Sequence, residues 1–143
     1  MEEKVLEAFS ELGFILEKNE IGYSFSYEGI NMMWMYNEQD EDFLSISVPG
    51  IWELEENDAA NVCLLMEKIN STLRYVKAYI LGGSVWIFYE RELQDSDDLP
   101  LVISRMIRHL EAALMFARKV VVELEDSKDD DGSAEEITDD NEE

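Results

Sequence analysis

Hydrophobic positions divide the first half of the chain into one helix and a run of strands. Val5, Leu6, Phe9 and Leu12 recur at helical spacing within residues 2–12, and Gly13 stands where a left-handed residue closes a helix. Phe14–Lys18 begins an extended run. Tyr23-Ser24-Phe25-Ser26-Tyr27 alternates with a period of two, the pattern of a half-buried strand. Glu28-Gly29 suits a hairpin turn. Asn31-Met32-Met33-Trp34-Met35-Tyr36 follows, apolar at every position after the asparagine, and residues 37–42 form a polar loop. Phe43-Leu44-Ser45-Ile46-Ser47-Val48 alternates again, and Pro49-Gly50 is expected to stop it.

The second half repeats the logic with longer helices. Asn57 and Asp58 are both suitable caps, and Val62, Leu65, Met66, Ile69 and Leu73 make an apolar stripe behind them. Tyr75–Leu81 and Ser84–Arg91 read as strands joined at Gly82-Gly83, a strong hairpin signal. A last helix opens at Asp97 or Asp98 with Pro100 in its first turn, and its stripe runs from Leu99 through Ile103, Met106, Leu110 and Leu114 to Val121. The order α-ββββ-α-ββ-α, with short turns between strands, predicts an antiparallel sheet and an α+β fold.

Three strands carry more apolar surface than one covered face requires. Met33 and Met35 oppose Met32, Trp34 and Tyr36. Val76, Ala78 and Ile80 oppose Lys77, Tyr79 and Leu81, and Val85, Ile87 and Tyr89 oppose Trp86 and Phe88. With one set turned to the helices, Trp34, Tyr36, Tyr79, Trp86 and Phe88 are left for the other face. Each ring can bury roughly 150–250 Å², so together they approach the ~800 Å² per partner of a standard interface. Leu64, Met115 and Phe116 lie off their helix stripes and are further interface candidates, as is Leu101.

Charge changes the picture at the C-terminal end. The 143 residues hold 34 Asp and Glu against 11 Lys and Arg, a net charge of −23. Residues 1–122 carry a net −12 and the last 21 residues a net −11. That final segment has no aromatic and too little apolar surface to offset its ordering entropy. The expected division is a folded domain over 1–125 and a disordered acidic tail over 126–143. So acidic a chain is a poor partner for nucleic acid or anionic membrane, both of which reward Lys and Arg. Cys63 is the single cysteine, so no disulfide framework exists. The glutamate-rich first dozen residues lack an apolar signal core, and a cytoplasmic protein is the expectation.

Candidate chemistry is sparse. His109 is the single histidine, and Ser104, five residues earlier, lies about 140° around the helix from it, so the two cannot meet. Cys63, beside its apolar stripe, reads as a buried or half-buried small hydrophobe. In the tail, Gly132 at the sixth position of a calcium loop would put Ser127 and Thr138 where Asp and Glu ligands are needed. Gly82-Gly83 has neither the lysine nor the helix start of a phosphate loop. No catalytic residue, metal ligand set or cofactor is expected.

The run INSTLRYVKAYILGGSVWIFYERE, followed by SRMIRHLEAALMFARKVV, resembles the YbjN family, bacterial proteins regarded as sensory transduction regulators. Ala60, Ile69-Asn70, Val76-Lys77, Val85 to Glu90, Leu110, Ala113 and Phe116 carry the resemblance, which spans about residues 57–122. It implies a small acidic bacterial domain, often dimeric, with the type III secretion chaperone-like fold. Chaperones of that fold hold extended client segments along apolar grooves. No family binding residue is sharp enough to transfer. The expected function is a non-enzymatic protein-binding module, chaperone-like or regulatory. It would act as a homodimer and take a protein or peptide client on the apolar sheet surface. The alternative is a small-molecule-binding regulator whose aromatics line a pocket between the sheet and the last helix.

Overall fold

A computed structural model describes residues 1–129 of the chain. The first helix, α1, spans Glu2–Glu11, and Gly13 follows it with φ +88°. Strands β1 (Glu17–Asn19), β2 (Gly22–Tyr27), β3 (Ile30–Trp34) and β4 (Phe43–Glu53) come next, with a one-turn 3-10 helix at Glu38–Asp40 inside the expected loop. Helix α2 (Ala59–Thr72) is capped by the Asp58 carboxylate, which accepts from the Ala60 N–H at 2.9 Å. Strands β5 (Val76–Leu81) and β6 (Ser84–Glu92) form the Gly82-Gly83 hairpin. Helix α3 (Leu99–Asp129) opens on Asp98, whose carbonyl accepts from the Val102 N–H at 2.9 Å.

The strands form one antiparallel sheet in the order β1-β2-β3-β4-β6-β5. The α+β architecture and its element order therefore follow the expectation. Two boundaries are corrected. Pro49-Gly50 does not end β4. The strand absorbs the pair as a bulge between Val48 and Trp52, with Gly50 at φ +54°, and resumes its pairing with β6. The long helix continues to Asp129, past the boundary set at residue 125. Of the acidic tail expected over 126–143, residues 130–143 lie outside the described residues.

Register decides which side chains enter the core. The two-residue turn at Glu28-Gly29, both at positive φ, places Tyr27 opposite Ile30, Phe25 opposite Met32 and Tyr23 opposite Trp34. Those six share a face with Leu44, Ile46, Val48, Val76, Ala78, Val85 and Ile87. Val5, Ala8 and Phe9 of α1, Val62, Leu65 and Ile69 of α2, and the α3 stripe from Ile103 to Val120 pack on that same face in one continuous core. Gly22 lets β2 lie this close to β3. It sits at φ +152°, and a Cβ there would stand 2.1 Å from the Trp34 carbonyl oxygen. The Tyr23 hydroxyl donates to the Glu2 carboxylate and pins α1 to the sheet. That bond, with burial, pushes the Tyr23 phenol up to about 12.

Candidate functional site

The opposite face of the sheet is built from alternate positions of the same strands. Glu17, Ser24, Ser26 and Asn31 make its β1–β2 side small and polar. From β3 across to β5 the face turns apolar: Met33, Met35, Phe43, Tyr79, Leu81, Trp86 and Phe88 lie there around Ser45 and Ser47. Met33, Trp86 and Phe88 take no part in the core beneath the helices. Among the described residues all three helices lie on the other side.

The rings of this face cover one another. Phe88 is the middle of a three-ring stack, 4.2 Å from Tyr79 (9° between planes) and 5.8 Å from Trp86 (12°). It is 1 % exposed although no helix lies over it. Met33, Ser47 and Phe88 stand in line across β3, β4 and β6 and form the buried floor. The Ser47 hydroxyl in that floor has no hydrogen-bond partner among the described residues. Above it Trp86 and Met35 are half-buried, while Tyr79 is 41 % and Phe43 49 % exposed. Ile21, at the β1–β2 turn and 48 % exposed, lines a hollow of about 450 Å³ with Met35, Pro49, Leu81 and Trp86. A ring exposed to this degree leaves on the order of 60–120 Å² open. The patch therefore amounts to roughly a few hundred Å², the upper end of what a monomer usually presents.

Acidic groups border the patch. Glu90 and Glu92 follow Phe88 along β6, Glu53 stands opposite Ser84 at the far end, and Asp40 lines a second hollow, of about 340 Å³, with Met35, Phe43 and Tyr79. Lys77 is the single basic residue among the strand positions of this face. Its ammonium pairs with Glu90 at 2.8 Å and sits 5.8 Å from the centre of the Tyr79 ring. The hydrogen bond to Glu90 raises the Lys77 pKa.

Neither sheet edge is an open template for another strand. β1 is three residues long. On β5 the Asn70 side chain occupies the middle of the edge, accepting from the Ala78 N–H at 2.7 Å and donating to the Ala78 carbonyl at 3.0 Å. Short edges and side-chain plugs are the usual defences against strand addition. The surface on offer is the face, not the edge.

The sequence-derived set is only partly brought together. Tyr79, Trp86 and Phe88 share the helix-free face. Trp34 and Tyr36 do not, and their placement is corrected. Trp34 is 2 % exposed on the helix face, stacked on Tyr23 (4.7 Å) and Phe9 (5.7 Å), and Tyr36 packs edge-on against it at 5.5 Å. The strand in which both parities are apolar gives its aromatics and Met32 to the core, and Met33 and Met35 to the open face. Leu64 and Met115 are exposed on α2 and α3, whereas Phe116 turns inward and packs against the core. Phe43, Met33, Met35 and Ile21 join the patch without having been singled out. Phe43 heads the serine parity of β4, and its alternation with Ser45 and Ser47 was the available signal.

Elsewhere the candidate chemistry resolves into packing. Cys63 is exposed rather than buried, because the α2 stripe centres on Val62, Leu65 and Ile69 and turns the neighbouring position outward. His109 packs edge-on against Tyr75 and Tyr89, and its Nδ1 lies 2.8 Å from the Arg105 carbonyl. At the start of α3 the Arg91 guanidinium and Asp97 form a two-pronged pair at 2.7 and 3.0 Å. That pair and the Gln94 N–H hold the Asp97 carboxyl down at about 2. A cavity of about 520 Å³ lies between α3 and the β4 bulge, among Ile30, Val48, Ile51, Leu114, Arg118 and Val121. It occupies the expected place for a pocket beside the last helix, but no aromatic lines it: aliphatic side chains share its wall with Asn31 and Arg118, the aromatics having gone to the core and to the far face. Among the described residues no group of three His, Cys, Asp or Glu side chains could hold a metal ion. No described helix is long and apolar enough to cross a membrane.

No family model matches the chain, and no curated protein matches its sequence. Solved structures do match its fold. An uncharacterized protein from Methanothermobacter thermautotrophicus superposes with a TM-score of 0.61 at 16 % identity, over 85 % of this chain and 96 % of that one. YbjN from E. coli, a candidate transcription regulator, superposes with a TM-score of 0.60 at 10 % identity, over 87 % of this chain and 93 % of its own. At such identities the likeness is one of fold: six antiparallel strands and three helices in a YbjN-like α+β arrangement.

Proposed function

We propose that this protein is a non-enzymatic regulatory module that binds another polypeptide through the helix-free face of its sheet. The observation that carries this reading is the cluster of Tyr79, Trp86, Phe43 and Met35 on a face that the chain's own helices leave uncovered. Aromatic and methionine side chains are enriched at the buried centres of protein interfaces, and a polar rim commonly surrounds them. The candidate regulator YbjN, similar in fold, is in keeping with a regulatory role. The partner is either a separate polypeptide or a second copy of the chain.

The test is selection of a random peptide library on the immobilised full-length protein, with sedimentation velocity run alongside at micromolar concentration. The expected result is recovery of a bound set, or of a dimer, that disappears when Tyr79 and Trp86 are both changed to serine. Failure to obtain either, or binding that survives both substitutions, contradicts the reading. The 520 Å³ cavity beside α3 supports a second reading, a small-molecule-binding regulatory domain. A metabolite screen by thermal shift tests it. A stabilising hit blocked by Leu114→Trp favours the cavity, and the lack of any hit retires it.

A further inference from the structure

We propose that the occupant of the helix-free face is a basic, extended polypeptide segment, with cations paired to the acidic rim and apolar side chains seated among Met35, Phe43, Tyr79 and Trp86. This inference rests on the protein-binding reading above and specifies the partner. Two alternatives lie within the chain itself, a second copy and the acidic C-terminal residues, and charge argues against both.

A two-fold contact through this face would set the same surface against itself. Its border is acidic on three sides, with Glu53 at one end, Glu90, Glu92 and Asp40 at the other, and Glu17 on the β1 side, while the β5 side carries Lys77, Tyr79 and Leu81. The single cation, Lys77, is already bound to Glu90. Two such borders brought together would oppose carboxylate to carboxylate, and like charges across an interface are strongly penalised. The patch is also small for the task. A few hundred Å² falls short of the ~800 Å² per partner of a standard stable interface, whereas a short segment lying across β4, β6 and β5 needs no more. Residues 130–143 contain eight carboxylates and no basic side chain, so they share the sign of the rim.

Lys77 shows how a partner's cation would sit. Its ammonium is held between a rim carboxylate, 2.8 Å away, and the Tyr79 ring at 5.8 Å. An incoming Arg or Lys finds the same combination elsewhere on the patch. At one end the half-buried Trp86 ring stands beside Ser84, the partner of Glu53, and at the other the Phe43 ring pairs with Glu92 and shares a hollow with Asp40, so that each end offers a ring with carboxylates. The plugged β5 edge favours recognition by side chains over strand addition.

The test uses the full chain and three fluorescent twelve-residue peptides alternating leucine with arginine, with serine or with glutamate. Anisotropy is read from about 50 mM to about 300 mM NaCl, a range over which surface charge pairs are progressively screened. The arginine peptide should bind at least tenfold more tightly than the serine peptide and weaken with salt, and the glutamate peptide should not bind. Tyr79→Ser with Trp86→Ser, and separately Glu53→Lys with Glu92→Lys, should each weaken the arginine peptide at least tenfold. Leu64→Ser with Met115→Ser should leave it unchanged. Circular dichroism checks that each variant is folded; if Trp86→Ser is not, Tyr79→Ser with Phe43→Ser replaces it, both rings being half-exposed. Equal binding of the serine and arginine peptides would overturn the basic partner and leave the protein-binding reading standing. So would a dimer abolished by the ring substitutions, or spermine binding as tightly as the arginine peptide. Arginine-peptide binding that ignores the ring substitutions would be general attraction to an acidic chain and would overturn this inference. No peptide binding and no dimer through this face would remove both.

Discussion

Replacing Trp34 by alanine and, separately, Tyr79 by alanine tests which face of the sheet the helices cover. Trp34 is 2 % exposed and touches rings on α1, on β2 and at Tyr36, just past β3. Removing a fully buried Trp loses its transfer free energy and leaves a cavity, together about 3–5 kcal/mol. Stacking on Phe9 and Tyr23 contributes within that figure at about 0.5–1.5 kcal/mol per aromatic pair. Tyr79 is 41 % exposed, and its ring is an outer member of the Phe88 stack. Its removal forfeits one such pair and part of one ring's burial, about 1 kcal/mol. Urea unfolding followed by circular dichroism measures both, with the slope held common so that midpoint shifts report stability. The expected ratio is at least threefold. A Trp34→Ala cost under about 1.5 kcal/mol, or a Tyr79→Ala cost equal to it, would refute the assignment of core and open face.

Gly22→Ala should cost about 3 kcal/mol or more in the same assay, because the new Cβ meets the Trp34 carbonyl at 2.1 Å and the residue sits at φ +152°. A loss under about 1 kcal/mol would show that β2 and β3 can separate cheaply. Ser47→Ala should be neutral or stabilising by up to about 1 kcal/mol, since it deletes a buried hydroxyl with no partner among the described residues. Destabilisation of more than about 1 kcal/mol would mean that the hydroxyl is satisfied in solution. Asp97→Asn should lower the melting temperature at neutral pH. The Asp97 carboxyl is depressed from 3.8 to about 2 by Arg91, so its stabilisation is present above pH 3.8 and lost as pH falls through 2. The gap between wild type and variant should therefore close over that window, and a gap independent of pH would contradict the pairing.

The order of elements was legible because capping and turn residues agree with the periodicity. Asp58 and Asp98 open helices, Gly13 closes one, and Gly82-Gly83 and Glu28-Gly29 make hairpins. The face of β3 was not legible from its own residues. Met32 to Tyr36 is apolar on both parities, so periodicity cannot say which set turns to the helices. The missing information was non-local. A two-residue turn at Glu28-Gly29 forces Trp34 opposite Tyr23, and β2 alternates cleanly, so Trp34 must share the face of Tyr23 and Phe25. The β4 bulge was hidden for a related reason. Proline and glycine end a strand only when the neighbouring strand ends too, and β6 continues past that point to pair with Trp52 and Glu53. Tyr79, Trp86 and Phe88 were readable as a group because the two-glycine turn of their hairpin fixes register as firmly as the first. Phe43 escaped because a lone aromatic on a serine parity is ordinary until three neighbours from other strands surround it.

Chemical-shift mapping of the full-length protein, titrated with the arginine–leucine peptide, tests the central claim most directly. Perturbations should concentrate on the Trp86 indole, the Met33 and Met35 methyl groups and the Phe43 and Tyr79 rings, leaving the methyl groups of Leu64, Met115 and Val122 on the helical side still. Shifts confined to the outer surfaces of α2 and α3, with the sheet face silent, would contradict it.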